Sequence, residues 1–319
     1  MTQRPILTIT LNPAVDLAAR TPEVVAGLKL RLSAPACDPG GGGINVARAI
    51  HRLGGEARAF VALAGPRGAQ LAYMIRAEGV PLIAFDGPGE TRQSLSVIAE
   101  DSGAEYRFVL PGADWSGDEA AAALRAVDEA VPSGALVVLS GSQPPGVPDD
   151  FPGRLAARLG DRDVTLLVDT SGAALDRLVD LPGRDTAPAI LRMDDAEAEE
   201  IAGRPLPAAS DTADYAAALV ARGVAGTVVI ARGADGSVLV DGTRRLHCRP
   251  PAVRVESKVG AGDSFTGAFA LSVARGESPA EALRAGTAAA AAAVMTPGTD
   301  LCRRADAERL GPLCTLHTL

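Results

Sequence analysis

Seven residues near the C-terminus, Lys258-Val259-Gly260-Ala261-Gly262-Asp263-Ser264, combine the parts that a phosphoryl-transfer site needs. Gly260 and Gly262 let the backbone turn sharply into a helix, so the first free N–H groups of that helix point at one spot and can hold an anion. Asp263 falls on the same first turn. Its carboxylate can take a proton from a substrate hydroxyl while the N–H groups stabilise charge on the transferred group. A Gly-Asp pair at a helix start is more often a plain cap, so its meaning depends on what else the chain brings to that place.

A second constellation lies near the N-terminus, where Gly40-Gly41-Gly42-Gly43 runs directly into a helical pattern from Ile44 to Leu53. Residues without side chains let a polar ligand approach the backbone closely, with Asn45 available to hydrogen-bond hydroxyls. A flexible linker would share the composition but would not lead straight into an amphipathic helix. Asp16 follows the first apolar stretch, at the strand end where ligands bind in open α/β sheets. It can clamp a sugar diol or cap a turn. The formal charge of −8 argues against a general nucleic-acid or anionic-membrane surface, so a phosphate-bearing ligand must be met by a local cluster of positive charge. Lys29, Arg31 and Arg92, on two separate segments near the proposed sugar site, supply one.

These residues need a scaffold. Ile6 to Leu11, Ala57 to Leu63, Ala135 to Leu139, Val164 to Val168 and Thr227 to Ala231 read as short buried strands. Between them lie helical patterns at Ile44 to Leu53, Gly68 to Ala77, Asp118 to Val131, Thr212 to Arg222 and Ser264 to Arg275. The alternation predicts an α/β fold, doubly wound, with a mostly parallel sheet flanked by helices. Two stretches break the rhythm: Val15 to Arg20 with Leu28 to Ala36, and Arg92 to Ala99 with Glu105 to Leu110, read as antiparallel strand pairs without intervening helices. They suit a small projecting sheet, which could close over a ligand, pair with a second subunit, or be a plain hairpin decoration.

Cys37, Cys248, Cys302 and Cys314 lack any metal-binding spacing and read as buried thiols in a reducing compartment. The N-terminus shows no cleavable leader, and the longest apolar stretch, Ala285 to Val294, is too short to span a bilayer, so a cytoplasmic location is expected. Lys29 and Lys258 are the only lysines. There is no GxxxxGK[ST] loop, no GxGxxG opening a helix after the first strand, and no protein-kinase catalytic loop.

Asp16, the Gly40 to Asn45 segment with Val46-Ala47-Arg48-Ala49, and Gly260-Ala261-Gly262-Asp263 together resemble the ribokinase/PfkB family of carbohydrate kinases over nearly the whole chain. Within it, Lys29-Leu30-Arg31, Thr91-Arg92-Gln93, Ser140-Gly141-Ser142 with Pro144-Pro145-Gly146, and Gly298-Thr299 with Leu301-Cys302 are most similar to the minor 6-phosphofructokinase branch.

The resemblance implies a ribokinase-like kinase domain over residues 1–319, with a lid formed by about 15–36 and 92–110 that also makes a homodimer. The implied activity is transfer of the γ-phosphoryl group of ATP to the 1-hydroxyl of fructose 6-phosphate, giving fructose 1,6-bisphosphate. Asp263 would be the base, in an anion hole spanning Gly260, Ala261, Gly262 and Asp263. Asp16, Gly41, Gly42, Asn45 and Ser142 would hold the sugar, with Lys29, Arg31 and Arg92 on its phosphate. Ala231, Arg232, Gly233 and Gly236 resemble the ATP-contacting loop, with alanine where the relatives carry serine and Arg232 placed to face phosphate.

The chain departs from the family pattern in two places. Arg192-Met193-Asp194-Asp195-Ala196-Glu197 stands where relatives carry Lys-Pro-Asn-x-x-Glu, so Asp194 and Glu197 are candidate magnesium ligands, although the extra carboxylate could instead repel nucleotide phosphates. Lys258 replaces a small hydroxylated residue beside a monovalent-cation site, and its ammonium is expected to stand in for potassium. Leu11-Asn12-Pro13 also resembles 1-phosphofructokinases and tagatose 6-phosphate kinases, which keeps those activities as alternatives. A sugar-phosphate-binding protein without catalysis is the further alternative, should the nucleotide-site departures disable turnover.

Overall fold

The computed structural model describes residues 3–319, arranged as a ten-stranded sheet with helices on both faces and a separate four-stranded sheet. In chain order the elements are β1 (Ile6–Thr10), β2 (Ala14–Thr21), β3 (Ala36–Gly40), α1 (Gly42–Arg52), β4 (Arg58–Leu63), α2 (Gly65–Ala77), β5 (Leu82–Asp86), β6 (Arg92–Ala99), β7 (Glu105–Val109), α3 (Gly117–Ala130), β8 (Leu136–Ser140), α4 (Phe151–Leu159), β9 (Thr165–Asp169), α5 (Ala173–Asp180), β10 (Ile190–Met193), α6 (Asp195–Ala202), α7 (Ala209–Ala221), β11 (Thr227–Ala231), β12 (Ser237–Asp241), β13 (Arg245–Arg249), α8 (Ala261–Ala274), α9 (Pro279–Ala293), α10 (Arg304–Leu310) and β14 (Thr315–Thr318). The run β11-β10-β9-β8-β1-β4-β5 is parallel throughout, and β12, β13 and β14 extend it antiparallel from β11.

Successive side chains of a strand point to opposite faces, and this chain makes both faces apolar. Ile6 of β1, Val61 of β4 and Val138 of β8 pack with α1, α2, α8 and α9. Leu7 and Ile9, Phe60, and Val137 and Leu139 pack on the other face with α3, α4, α5 and α7. Burial on both faces is why these strands read as unbroken apolar runs. All the strands and helices expected of the main sheet are present, but the helices begin one to three residues earlier. Their first turns, Gly42-Gly43 in α1 and Ala261-Gly262 in α8, carry small residues that show no apolar periodicity.

The small sheet has the order β3-β2-β6-β7, with β2 and β6 parallel and the outer pairs antiparallel. The strand expected over 28–36 is a correction: the partner of β2 is β3 at 36–40, and 22–35 is an irregular, largely exposed connection. Leu28, Leu30 and Leu32 alternate with charged residues as an edge strand would, but both edges of β2 are already occupied, one by β3 and the other by β6. Cys248, Cys302 and Cys314 are buried, whereas Cys37 on β3 is exposed, against expectation. Among the described residues no helix is long and apolar enough to cross a membrane.

Candidate active site

β4 and β5 lie to one side of β1 and β8 to the other, so the connections leaving β1 and β8 diverge at their C-terminal ends. A crevice opens at such a point. The glycine run brings the start of α1 down onto it. Gly41, the N-cap, has φ 122°, in the left-handed half of backbone space where a side chain is strained. A Cβ on Gly42 would lie 2.4 Å from Ser140 Oγ, and one on Gly43 2.4 Å from the Ile9 carbonyl oxygen. The glycines thus permit a close approach of helix to strand ends, and Ile44 N–H donates to Thr10 Oγ1 at 2.9 Å.

α8 enters the crevice from the opposite end of the chain. Gly260 is its N-cap in the left-handed conformation, and Ala261, Gly262 and Asp263 form its first turn. The N–H groups of such a turn have no partner inside the helix. Asp263 Oδ2 accepts from Asn45 Nδ2 at 3.0 Å. Burial pushes the Asp263 carboxyl up to about 6, with the Asn45 hydrogen bond and Arg192 working against that rise and Asp169 and Asp16 adding to it. A carboxyl there is poised to exchange a proton near neutrality.

Below this turn lies an ion pair that the sequence reading missed. Asp169, the last residue of β9, accepts from Arg192 Nη1 at 3.1 Å and from Thr266 Oγ1 at 2.7 Å. Both charged side chains are largely buried, 13% and 11% exposed. Burial disfavours the Arg192 charge, but Asp169, with Glu197 and Asp194, outweighs it and holds the guanidinium above its ordinary pKa. Nη2 of Arg192 lies 3.2 Å from where a Cβ of Gly262 would stand. A side chain at 262 would therefore press on the guanidinium, which would have to shift by a few tenths of an ångström. The available signal for Asp169 was its place at the C-terminal end of a parallel strand.

Across the crevice stands the small sheet. Asp16 lies within β2, not in a turn, and faces Arg92 and Arg107. Burial raises its pKa, and the two arginines with Ser94 offset part of the rise. Arg92 donates to the Asn12 carbonyl at 3.2 Å and to the Leu110 carbonyl at 3.1 Å, and burial lowers its pKa against the pull of Asp16. Arg107 was not singled out in the sequence, because its relation to Asp16 arises only when β7 pairs with β6. Ser142 is exposed in the loop after β8, with Asn12 Nδ2 donating to its Oγ at 3.3 Å. Lys29 and Arg31 are not gathered with this group. Both are exposed in the 22–35 connection, without a hydrogen bond or ion pair among the described residues.

At the nucleotide end, two expectations are corrected. Arg232 does not face outward to meet a phosphate: it donates to the Leu206 and Pro207 carbonyls, to Thr212 Oγ1 and to Asp235, so its donors are consumed in bracing the β11–β12 turn. Lys258 is exposed and unpaired among the described residues, so its ammonium does not fill a buried cation site. Ala231 ends β11, and Gly233 opens the tight turn between it and β12. Gly236 in that turn has no room for a side chain, since a Cβ would lie 1.9 Å from the Cys248 carbonyl. Asp194 and Glu197 form a capping box on α6: Asp194 Oδ1 accepts from Glu197 N–H at 2.9 Å, and Glu197 Oε2 from Asp194 N–H at 2.8 Å. One oxygen of each remains. Burial, followed by the nearby Asp194 and Asp169 charges, raises the Glu197 pKa, a bias that an added cation would relieve.

Residues 8–306 match the family described as pfkB family carbohydrate kinase. The ATP-dependent 6-phosphofructokinase isozyme 2 of Escherichia coli (strain K12) is 38% identical over 308 residues, covering 96% of this chain and 97% of that one. The crystal structure of phosphofructokinase-2 from Escherichia coli in complex with fructose-6-phosphate superposes with a TM-score of 0.89 at 36% identity, over 98% of this chain and 99% of that one. The 1-phosphofructokinase of Xanthomonas campestris pv. campestris is 31% identical over 275 residues, covering 84% of this chain and 83% of that one.

Proposed function

The chain belongs to the pfkB family of carbohydrate kinases, and we propose that it transfers the γ-phosphoryl group of ATP to the 1-hydroxyl of fructose 6-phosphate. The observation that carries this reading is the pairing of a carboxyl pushed up to about 6 with the free N–H groups of the same helical turn. Asp263 takes the hydroxyl proton, the sugar oxygen attacks the γ-phosphorus as the bond from that phosphorus to the β–γ bridging oxygen breaks and ADP leaves, and the N–H groups of Ala261, Gly262 and Asp263 meet the charge on the transferred group. Asp16, Gly41, Gly42, Asn45 and Ser142 hold the sugar, and Arg92 with Arg107 meets its phosphate. The small sheet acts as the lid over this pocket.

Asp194 and Glu197 fit a hard cation, since both present oxygen and their clustered negative charge lacks a full counter-charge. Among the described residues no three His, Cys, Asp or Glu side chains form a metal-holding group, so most ligands to magnesium would be phosphate oxygens and water. A magnesium ion held by these two carboxylates would neutralise phosphate charge and help orient the nucleotide.

ADP release with ATP and magnesium, measured against fructose 6-phosphate, fructose 1-phosphate, tagatose 6-phosphate and fructose, tests the reading. The expected result is the highest kcat/KM with fructose 6-phosphate. Preference for fructose 1-phosphate would move the chain to the 1-phosphofructokinase activity, and saturable sugar-phosphate binding without ADP would reject catalysis.

We also propose that two copies pair through their small sheets. Leu28, Phe108, Val109 and Leu110 are 66%, 54%, 59% and 53% exposed, an apolar surface that a second copy would cover. Phe108→Asp is expected to turn a dimer into a monomer in sedimentation velocity. A wild-type chain that sediments as a monomer at micromolar concentration would rule the pairing out.

A further inference from the structure

Arg48 is 2% exposed and lies one helical turn after Asn45 on α1. Its Nη1 donates to Asn45 Oδ1 at 2.9 Å and to the Pro39 carbonyl of β3 at 3.1 Å. Its Nε and Nη2 hold the two carboxylate oxygens of Glu78, just past α2, at 2.8 and 2.7 Å. Asp38 of β3 lies 4.0 Å from Nη2. A guanidinium can only donate, so the oxygen of the Asn45 carboxamide must turn toward Arg48. Its NH2 then turns to Asp263 Oδ2, 3.0 Å away. Were the amide reversed, two acceptors would oppose each other at Asp263 and two donors at Arg48.

We propose that Arg48 is a positioning residue for phosphoryl transfer, fixing the Asn45 carboxamide so that its N–H faces Asp263 and anchoring that orientation to β3 and the end of α2. The inference rests on the reading of Asp263 as the base. It makes the base sensitive to the small sheet, because Pro39 and Asp38 belong to β3, and Asp38 Oδ2 also accepts from Thr299 Oγ1 at 2.6 Å. Movement of β3 relative to α1 is thereby passed to the hydrogen bond on Asp263.

Arg48→Lys keeps a positive charge for Glu78 but replaces the planar fork with a point donor. It is expected to lower kcat by about tenfold or more, with KM for fructose 6-phosphate within about threefold. In an Asn45→Ala background the same change should lower kcat by less than about twofold, since the path through Asn45 is already cut. Losses that multiply in the double variant would overturn the proposal.

A readout without turnover is the ¹³Cγ titration of Asp263, assigned by its disappearance in Asp263→Asn. Asp169 of β9, Arg192 of β10 and Asp16 of β2 also face this carboxyl and are unchanged by the substitution. Loosening the Asn45 bond should move the midpoint upward, because that bond favours the ionised form. An unmoved midpoint rejects the proposal. Should Arg48→Lys not fold, Arg48→Met/Glu78→Leu replaces the whole buried pair with apolar volume, a change that often preserves stability, and must give the same upward shift. A chain that phosphorylates no sugar would reject the kinase reading, while the titration still decides the role of Arg48.

Discussion

Asp263→Asn is expected to lower kcat on fructose 6-phosphate by about 10²- to 10⁴-fold, the usual contribution of a general base, with sugar-phosphate binding little changed. The amide has nearly the same shape and can still accept from Asn45 Nδ2, but it cannot take the hydroxyl proton. Only the transition state loses an interaction, so the loss should appear in kcat and not in KM. A variant with near-normal turnover would remove Asp263 from the role of base.

The same substitution should stabilise the protein at alkaline pH. The folded carboxyl titrates at about 6 against an ordinary 3.8, so the folded chain binds this proton more tightly than the unfolded chain does. Stability therefore falls as pH rises from about 4 to about 6, and the full cost is present above that range. Two units correspond to about 3 kcal/mol. Urea denaturation should show Asp263→Asn more stable than the wild type by up to that amount at pH 8, with the difference shrinking toward pH 4. Wild-type kcat/KM should rise with a midpoint near pH 6 as this carboxyl ionises, so the charged form that weakens the fold is the form the proposed base role requires.

The second large effect is expected beneath the site. Arg192→Met should destabilise the protein by about 3 kcal/mol or more, because removing one partner of a buried pair leaves the other charge uncompensated. Asp169 would keep only the Thr266 hydroxyl. Urea denaturation at pH 7 measures the loss, and an unchanged midpoint would show that the pair is solvated in solution. Arg192 also opposes the upward shift of the Asp263 carboxyl. Its removal should move the acid limb of the kcat/KM profile to higher pH, linking the pair to the proposed chemistry.

Strands β1, β4, β8, β9 and β11 were legible because burial on both faces writes them as apolar runs bounded by turn residues, whereas β5, β10, β12, β13 and β14 were not read from the sequence. Leu28, Leu30 and Leu32 misled for the matching reason: their alternation is what a strand edge requires, but a strand needs an open neighbour, and β3 and β6 already fill both sides of β2. Among the arginines, sequence could not separate one that faces a ligand from one that braces a turn. Arg232 and Arg92 both donate to backbone carbonyls, and what distinguishes Arg92 is its place beside Asp16 on the small sheet. Arg107 and Asp169 carried no local motif. Each matters because of what lies across a strand pair or one turn into a distant helix.

By itself the sequence determined the alternation of strands and helices, the glycine entries to α1 and α8, and Asp263 on the first turn of α8. Those features depend on backbone freedom, helix starts and side-chain period, which act over a few consecutive residues. The tertiary structure alone decided that Asn45, 218 positions away, donates to Asp263, that Arg48 orients Asn45, and that Asp169 takes up Arg192. It also left the Lys258 ammonium exposed. Hydrogen bonding needs contact and Coulomb interaction depends on distance in space whatever the separation along the chain, so the protonation of the Asp263 carboxyl was set by neighbours that only folding assembles.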